Sequence, residues 1–340
     1  MNSTPMEKVK AYHSIKSFLN EEDRKKVAEM LQLNETDVTK RIWGKDNEQE
    51  FILMIYLLGN CKSIYAFEEG ISKLTDSETS DLLIELKNGK RIIVEIKSTV
   101  RHKYSISEKV LKAKQDFAKV MNADLYFAVK VGGYWALYDD KYIESKNRKI
   151  DVAEDYFNSK FNSIFGDHTF MLPRGLEIQS IYSKNLSKNL GISHRDYGKL
   201  VKYTIKYNNS KILTVNSQEH QMYGLIFLYE NFQDMASNMK QDIIKIDGDR
   251  TMIKEIITSD ITTNLSIFML SPIKHMISEM GSEYEVGQYL VRLIDDKEKI
   301  SFDKNSMLYS LLFLAERDYP IKEVVGRDIY LYKDMITKNI

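Results

Sequence analysis

The chain has 340 residues, and its 49 basic and 49 acidic side chains give a formal net charge of zero. A hydrophobic content of 43% argues against general disorder, and the length suits two or three domains. The single cysteine, Cys61, excludes an internal disulfide and indicates a reducing, cytoplasmic environment. The longest apolar run falls far short of the ~20 residues that cross a bilayer, so we expect no membrane association.

The N-terminal part of the sequence predicts helices. Residues 6–45 have helical character and are expected to pack on the domain that follows. An apolar helix is predicted over residues 44–58, and it carries two glutamates near its start, Glu48 and Glu50.

The next informative segment predicts two strands joined by a tight turn. Side chains alternate across a strand, so each strand has one apolar face, and both apolar faces must reach the same core. With a two-residue turn, the apolar faces of the two strands would point to opposite sides of the hairpin. A three-residue loop over Lys87–Gly89, with a left-handed glycine, places both apolar faces on the same side. That register places Asp81 opposite Glu95, with Lys97 two residues further along the same face.

The charged face of this hairpin has two interpretations. Asp81, Glu95 and Lys97 fit the solvated side of an ordinary amphipathic hairpin, which is a common arrangement. However, Leu83 and Ile93 lie among these charges, which predicts that other parts of the chain cover the face. Two like charges opposite each other are also destabilising unless positive charge lies between them. A metal ion, together with the lysine, would supply that charge.

The segment after the hairpin is basic and then predicts a helix and a strand. Ser107 is a suitable N-cap for a helix over residues 107–121, and residues 125–130 have the pattern of a buried strand. Lysines along a helix often mark only a solvated face, but beside a phosphodiesterase site they would neutralise the substrate backbone. Three basic residues of this segment are expected to contact nucleic acid: Arg101, Lys103 and Lys112.

One motif of the chain resembles the core of the PD-(D/E)xK nuclease superfamily. In this motif Asp81 is followed, after thirteen intervening residues, by Glu95-x-Lys97. The resemblance extends over residues 43–138 and implies an α/β, restriction-endonuclease-like fold with the element order αβββαβ. Ser80 stands where the family has a proline, and the preceding helix offers two glutamates.

The resemblance implies a magnesium site, in which Mn²⁺ can replace Mg²⁺. The implied metal ligands are two carboxylates, a backbone carbonyl and a helix glutamate: Asp81, Glu95, Ile96 and Glu48, with Glu50 as the alternative. A metal-bound water would attack phosphorus. Lys97 would orient that water or stabilise the transition state, and Gln115 lies where the family sometimes places a polar helical residue, although such a glutamine is more often a surface residue.

Residues 1–150 are therefore expected to form the nuclease domain, followed by a basic region over residues 151–215. Within that region, residues 186–201 resemble a helix-turn-helix, although such strings also occur by chance. Its second helix would present three basic side chains to DNA: Arg195, Lys199 and Lys202. Residues 204–215 would form the hairpin of a winged variant, or belong to an ordinary sheet.

Residues 216–340 are predicted to be mainly helical and to serve substrate selection or oligomerisation, for instance in a homodimer. Helices are predicted over residues 221–232, 261–279, 285–294 and 307–317. This region carries 14 basic and 20 acidic side chains. The excess of positive charge therefore lies in the part that contains the proposed site.

The leading prediction is a Mg²⁺-dependent DNA endonuclease, with a restriction or phage-defence role by analogy. A nuclease directed at RNA or branched DNA is an alternative, because the chemistry at the phosphate is the same. A third alternative is a regulator that binds nucleic acid on a nuclease fold without cutting it. A fourth is an interaction protein whose acidic C-terminal part binds a partner protein.

Overall fold

The computed structural model describes residues 5–16, 18–33, 35–67, 79–99, 101–131, 133–185, 190, 192–215, 239–270 and 304–336. These residues divide into two compact units, one that ends at Gly166 and one that begins at Asp167. No helix within the described ranges is long and apolar enough to cross a membrane.

The first unit begins with three helices and continues as a mixed sheet with further helices. Its elements in chain order are α1 (Pro5–Lys16), α2 (Glu21–Met30), α3 (Glu35–Leu58), β1 (Cys61–Ala66), β2 (Leu82–Leu86), β3 (Arg91–Thr99), β4 (Lys103–Ser105), α4 (Glu108–Val120), β5 (Asp124–Val131), β6 (Tyr134–Asp139), α5 (Asp140–Ser145), β7 (Lys149–Asp151), α6 (Val152–Asp155), a 3₁₀ turn (Tyr156–Asn158) and α7 (Phe161–Phe165).

The main sheet of this unit has the strand order β1-β2-β3-β5-β6. β3 and β5 are parallel, and the other neighbouring strands are antiparallel. A parallel pair needs a crossover connection, which α4 provides. Ser107 caps α4, since its hydroxyl accepts a hydrogen bond from the backbone N–H of Val110.

Both faces of the sheet are buried. Leu83 and Ile93 pack in one core cluster with Leu111 and Ala118 of α4. On the other face, the ring of Phe51 of α3 packs at an angle of 58° against that of Trp135 of β6, with 5.0 Å between ring centroids. The prediction that the charged face of the hairpin is covered is therefore confirmed.

The second unit consists mainly of strands. Its elements are β8 (Thr169–Leu172), β9 (Leu176–Ser183), β10 (Ser193–His194), β11 (Gly198–Tyr207), β12 (Ser210–Val215), β13 (Met239–Lys245), β14 (Arg250–Ile257), β15 (Ile261–Asn264), α8 (Lys304–Ala315), β16 (Lys322–Val325), β17 (Asp328–Leu331) and α9 (Tyr332–Ile336). One sheet has the order β10-β11-β9-β14-β13 with β12 on β11, and the other has the order β15-β8-β16-β17. Strands on both sides of residue 216 therefore share one sheet.

The helix-turn-helix expected over residues 186–201 is wrong. The stretch expected to be the DNA-reading helix forms β10, a turn and the start of β11, which pairs with β9. β11 is rich in aromatic and β-branched residues, which favour strands. Gly198 has φ +88°, and a Cβ there would overlap the carbonyl oxygen of Ser183. This glycine therefore permits the close approach of β11 to the backbone of Ser183.

The mainly helical character expected for residues 216–340 is also wrong in the described part, which contains five strands. The helices predicted over residues 221–232 and 285–294 lie outside the described residues, whereas α8 matches the one predicted over 307–317. The helix predicted over residues 261–279 is wrong at its start, where residues 261–264 form β15. β13 and β14 form a hairpin. The Asp247 carboxylate stabilises its turn by accepting hydrogen bonds from the backbone N–H groups of Asp249 and Arg250 at 3.1 and 2.8 Å.

Replacing Gly198 with alanine should destabilise the second unit by ~3 kcal/mol, because both the backbone conformation and the contact with Ser183 oppose a side chain. Gly89→Ala is the matched control, since Gly89 has φ +83° but open space around it. It should cost only ~1 kcal/mol. Urea unfolding measures both, and equal losses would contradict the steric argument.

Candidate functional site

The β2–β3 hairpin brings two carboxylates together. Leu82 pairs with Val94, and the loop is closed by a 2.8 Å hydrogen bond from the backbone N–H of Leu86 to the carbonyl oxygen of Lys90. Residues 87–89 form the loop, with a left-handed glycine at its end. The predicted three-residue loop and register are confirmed, and one step beyond the last pair of β2 lies Asp81, opposite Glu95.

Asp81 is held by the backbone of the neighbouring strand. Its Oδ2 accepts a 2.6 Å hydrogen bond from the backbone N–H of Ile96. Burial and the charge of Glu95 raise the pKa of Asp81 to about 7, although Lys97 and the Ile96 N–H oppose the shift. Without a divalent metal ion in the site, this carboxyl group is therefore partly protonated near neutral pH.

Glu95 lies between two lysines. Its side chain is buried, at 4% exposure, and Oε1 is 2.7 Å from Lys97 Nζ. Oε2 is 2.9 Å from Lys114 Nζ of α4. The Lys114 ammonium also donates a 2.5 Å hydrogen bond to the carbonyl oxygen of Thr79, two residues before Asp81. Lys114 thus connects α4 to both carboxylate-bearing segments.

Lys114 was not recognised in the sequence as a site residue. It shares the buried face of α4 with Leu111 and Ala118, and this helical spacing is the signal that could have identified it. The neighbouring Gln115 is not brought to the carboxylates. Its amide donates 2.9 Å hydrogen bonds to carboxylates of α5.

Lys97 remains a charged donor in this setting. Partial burial lowers the pKa of Lys97, but the carboxylates of Glu95 and Asp81 outweigh that effect and raise the pKa above its usual value. A lysine held in its charged form cannot accept a proton, so it would act by electrostatic stabilisation or orientation. Tyr104 lies close by, and burial raises its pKa to about 12, with Lys97 opposing the shift and Glu95 and Asp81 adding to it.

The two helix glutamates have different environments. Glu50 is buried and forms a 2.6 Å ion pair with Lys130, and it accepts a 3.2 Å hydrogen bond from the indole N–H of Trp135. Glu48 is half-buried, and its charge contributes to the raised pKa of Asp81. Glu48 is therefore the helix glutamate that acts on the carboxylate pair.

The expected nucleic-acid contacts are distributed over both units. Arg101, Lys103 and Lys112 are exposed in the first unit. The other three predicted contacts lie in or beside the strands of the second unit: Arg195, Lys199 and Lys202.

The carboxylate pair has the donor chemistry that a hard divalent cation requires. Glu95 Oε2 is buried and contacts Lys114 Nζ at 2.9 Å, with no other polar partner among the described residues, so its second lone pair has capacity for a cation. Within these residues no group of three or more His, Cys, Asp or Glu side chains converges on one point. An ion would therefore need Asp81 and Glu95 together with oxygen ligands from the backbone, water or substrate.

Comparison with known proteins gives only distant similarity. No family model and no curated protein matches the chain. Among solved structures, a Holliday junction resolvase, Hjc, from Archaeoglobus fulgidus aligns with 18% identity over 32% of this chain and 84% of its own, with a TM-score of 0.27. A protein described as SSO0001 aligns with 16% identity over 47% and 78% of the two chains, with a TM-score of 0.20. Both TM-scores are too low to bear on the activity.

Replacing Lys114 with methionine should destabilise the first unit by ~3 kcal/mol, because it removes one of two cations beside the buried Glu95 carboxylate. Lys112→Met, on the exposed side of the same helix, should change stability by less than ~0.5 kcal/mol. Urea unfolding followed by circular dichroism tests this. Adding Glu95→Gln to Lys114→Met should recover part of the loss, and simple additivity would show that the pair does not interact.

The stability of the metal-free protein should fall as pH rises from about 4 towards 7. The folded state keeps the Asp81 proton up to a pKa of about 7, whereas the unfolded state releases it near the ordinary aspartate pKa of 3.8. Asp81→Asn should remove this dependence, so that the variant gains about 2 kcal/mol relative to the unmodified protein between pH 5 and pH 8. Thermal unfolding in EDTA across this range measures the difference, and a gain at low pH instead would contradict the sign.

Proposed function

We propose that the first unit is a Mg²⁺-dependent nuclease that hydrolyses phosphodiester bonds of DNA. The observation that carries this proposal is the pair formed by Asp81 and Glu95 on adjacent strands, with the Lys97 ammonium 2.7 Å from Glu95. Two carboxylates beside one lysine provide anionic ligands for a cation and a positive donor for a phosphate. The sequence resemblance described above points to the same chemistry.

In this proposal each residue of the chain has a defined task. Asp81 and Glu95, with the Ile96 carbonyl, hold the divalent ion, and Glu48 contributes negative charge from α3. The ion, when bound, supplies an activated water and positive charge at the scissile phosphate. Lys97 donates hydrogen bonds to the phosphate or the water and stabilises the negative charge that develops.

The choice of DNA rests on the sequence resemblance, as does a role in restriction or phage defence. RNA or branched DNA would present the same phosphate to the carboxylates, so the residues of the site do not separate these substrates.

A second function, nucleic-acid binding without cleavage, is favoured by one observation. Lys97 and Lys114 already place two positive charges beside Glu95. A site neutralised in this way can be stable without a metal ion, as a binding protein on the same fold would require.

Cleavage assays on double-stranded DNA, single-stranded DNA and RNA, each with Mg²⁺, Mn²⁺ or EDTA, test the proposal. We expect DNA cleavage that needs the metal and falls roughly 10²-fold or more in Glu95→Gln. Glu85→Gln is the matched control, since Glu85 lies on the same hairpin and pairs with the exposed Lys62. Lys97→Met should lose cleavage while calorimetry still detects Mg²⁺ binding.

The outcomes separate the two functions. Binding of DNA without cleavage under any metal condition would support the non-catalytic function. Metal-dependent cleavage that survives Glu95→Gln would place the active site elsewhere in the chain.

A further inference from the structure

A cavity of about 500 Å³ lies beside the short β4–β7 sheet of the first unit. This volume falls within the range of ~300–1,000 Å³ that is typical of small-molecule sites. The residues that line the cavity come from β4, the end of α5, β7 and α6: Lys103, Tyr104, Ser105, Lys146, Lys149, Ile150, Asp151, Glu154 and Asp155.

The walls of the cavity are fixed by backbone hydrogen bonds. Tyr104 pairs with Ile150 at the centre of the β4–β7 sheet. Beyond each end of this pairing, Val152 N–H donates to the carbonyl oxygen of His102 at 2.7 Å, and Ile106 N–H donates to that of Arg148 at 3.1 Å. The cavity is therefore built by ordered backbone and does not depend on the placement of surface side chains alone.

Tyr104 connects the cavity to the carboxylate site. Its ring packs against the core cluster that α4 covers, and the residue also lines the cavity. Its hydroxyl interacts electrostatically with the charges of Lys97, Glu95 and Asp81. The cluster that Tyr104 packs against contains Leu83 and Ile93, each two residues from a carboxylate on the same face, so a molecule in this cavity would lie near the carboxylate site.

The charges of the lining are mixed. Lys146 forms a 2.7 Å ion pair with Asp155, and Lys103 lies 3.9 Å from Asp151. Lys149 forms no ion pair with any residue in the described ranges. Three ammonium groups and three carboxylates suit a ligand that combines negative charge with hydrogen-bond donors. A nucleotide has both, since its phosphate is anionic and base amino groups donate to Asp and Glu.

We propose that this cavity binds one nucleotide of a DNA strand next to the scissile phosphate, with Lys149 and Lys103 on its phosphate and Tyr104 at the boundary with the carboxylates. The proposal rests on the nuclease function above and adds a substrate subsite to it.

The test measures binding of a short fluorescein-labelled single-stranded DNA by anisotropy, in EDTA so that no cleavage occurs. Lys149→Glu should weaken binding about tenfold and lower the salt dependence by about one phosphate contact. Lys87→Glu makes the same charge change at the far end of β2, on an exposed lysine that has no ion pair within the described part of the chain. It should change binding less than twofold, and equal effects of the two variants would overturn the subsite.

Occupancy of the cavity is tested separately from charge. Ser105 is exposed and lines the cavity, so Ser105→Trp should fill the cavity without unfolding the protein and weaken binding about tenfold. Ser105→Ala should bind like the unmodified protein. Undiminished DNA binding by Ser105→Trp would overturn the proposal. Variants that weaken binding of RNA of the same sequence, but not binding of DNA, would also overturn it.

Failure of the subsite and failure of the nuclease function give different results. DNA cleavage with Mg²⁺ together with unchanged binding by Lys149→Glu and Ser105→Trp overturns the subsite alone. If the variants change DNA binding as expected but the unmodified protein cleaves no substrate with any metal, the nucleotide site is supported and the nuclease function is overturned. Absence of DNA binding by the unmodified protein overturns both.

Discussion

The buried charge cluster around Glu95 is the interaction on which the first unit depends. Two carboxylates, Asp81 and Glu95, lie opposite each other on adjacent strands, an arrangement that is destabilising by itself. Lys97 and Lys114 compensate for it from two directions, one from the same strand and one from α4. Because Lys114 also binds the Thr79 carbonyl, the same cation fixes the position of the helix and of the chain that enters β2.

The opposite face of the sheet has a second buried ion pair, between Glu50 and Lys130. Lys130 also donates a 2.9 Å hydrogen bond to Asn47, so two positions of α3 are tied to β5. Helix residues two apart point in different directions, so Glu50 pairs with Lys130 of the sheet while the charge of Glu48 acts on Asp81. A structural ion pair on one face thus determines which glutamate of α3 belongs to the candidate site.

The hairpin could be predicted from sequence because the apolar faces of its two strands must point to the same core. This one constraint decides the loop length and the register. The position of Leu83 and Ile93 among the charges predicted that this second face would be covered, and both residues are buried. Lys114 could not be assigned from sequence in the same way, since its partners lie in β3 and before β2 and come together only through the crossover. The spacing of Leu111 and Ala118 places it on the inner face, but only the tertiary structure supplies Glu95.

The error over residues 186–201 has a different cause. The expected second helix contains Gly198, a poor helix former, but local sequence does not show that this glycine lies at a strand start close to another backbone. Contact with Ser183, a tertiary neighbour, decided in favour of the strand. The β13–β14 hairpin did carry a local signal, an Asp-Gly turn between β-branched residues, but its meaning depended on the pairing of β14 with β9.

The charge balance of the cluster also constrains how the proposed reaction would begin. The pKa of Asp81 is raised to about 7, and two lysine ammonium groups lie within 3 Å of the Glu95 carboxylate. In the proposed nuclease, Asp81 would have to be deprotonated to hold a divalent ion, and the positive charges of both lysines would oppose that binding. A substrate phosphate brings the negative charge that offsets this repulsion, so metal and nucleic acid would bind more tightly together than either binds alone. By linkage, each ligand must then raise the affinity of the other by the same factor.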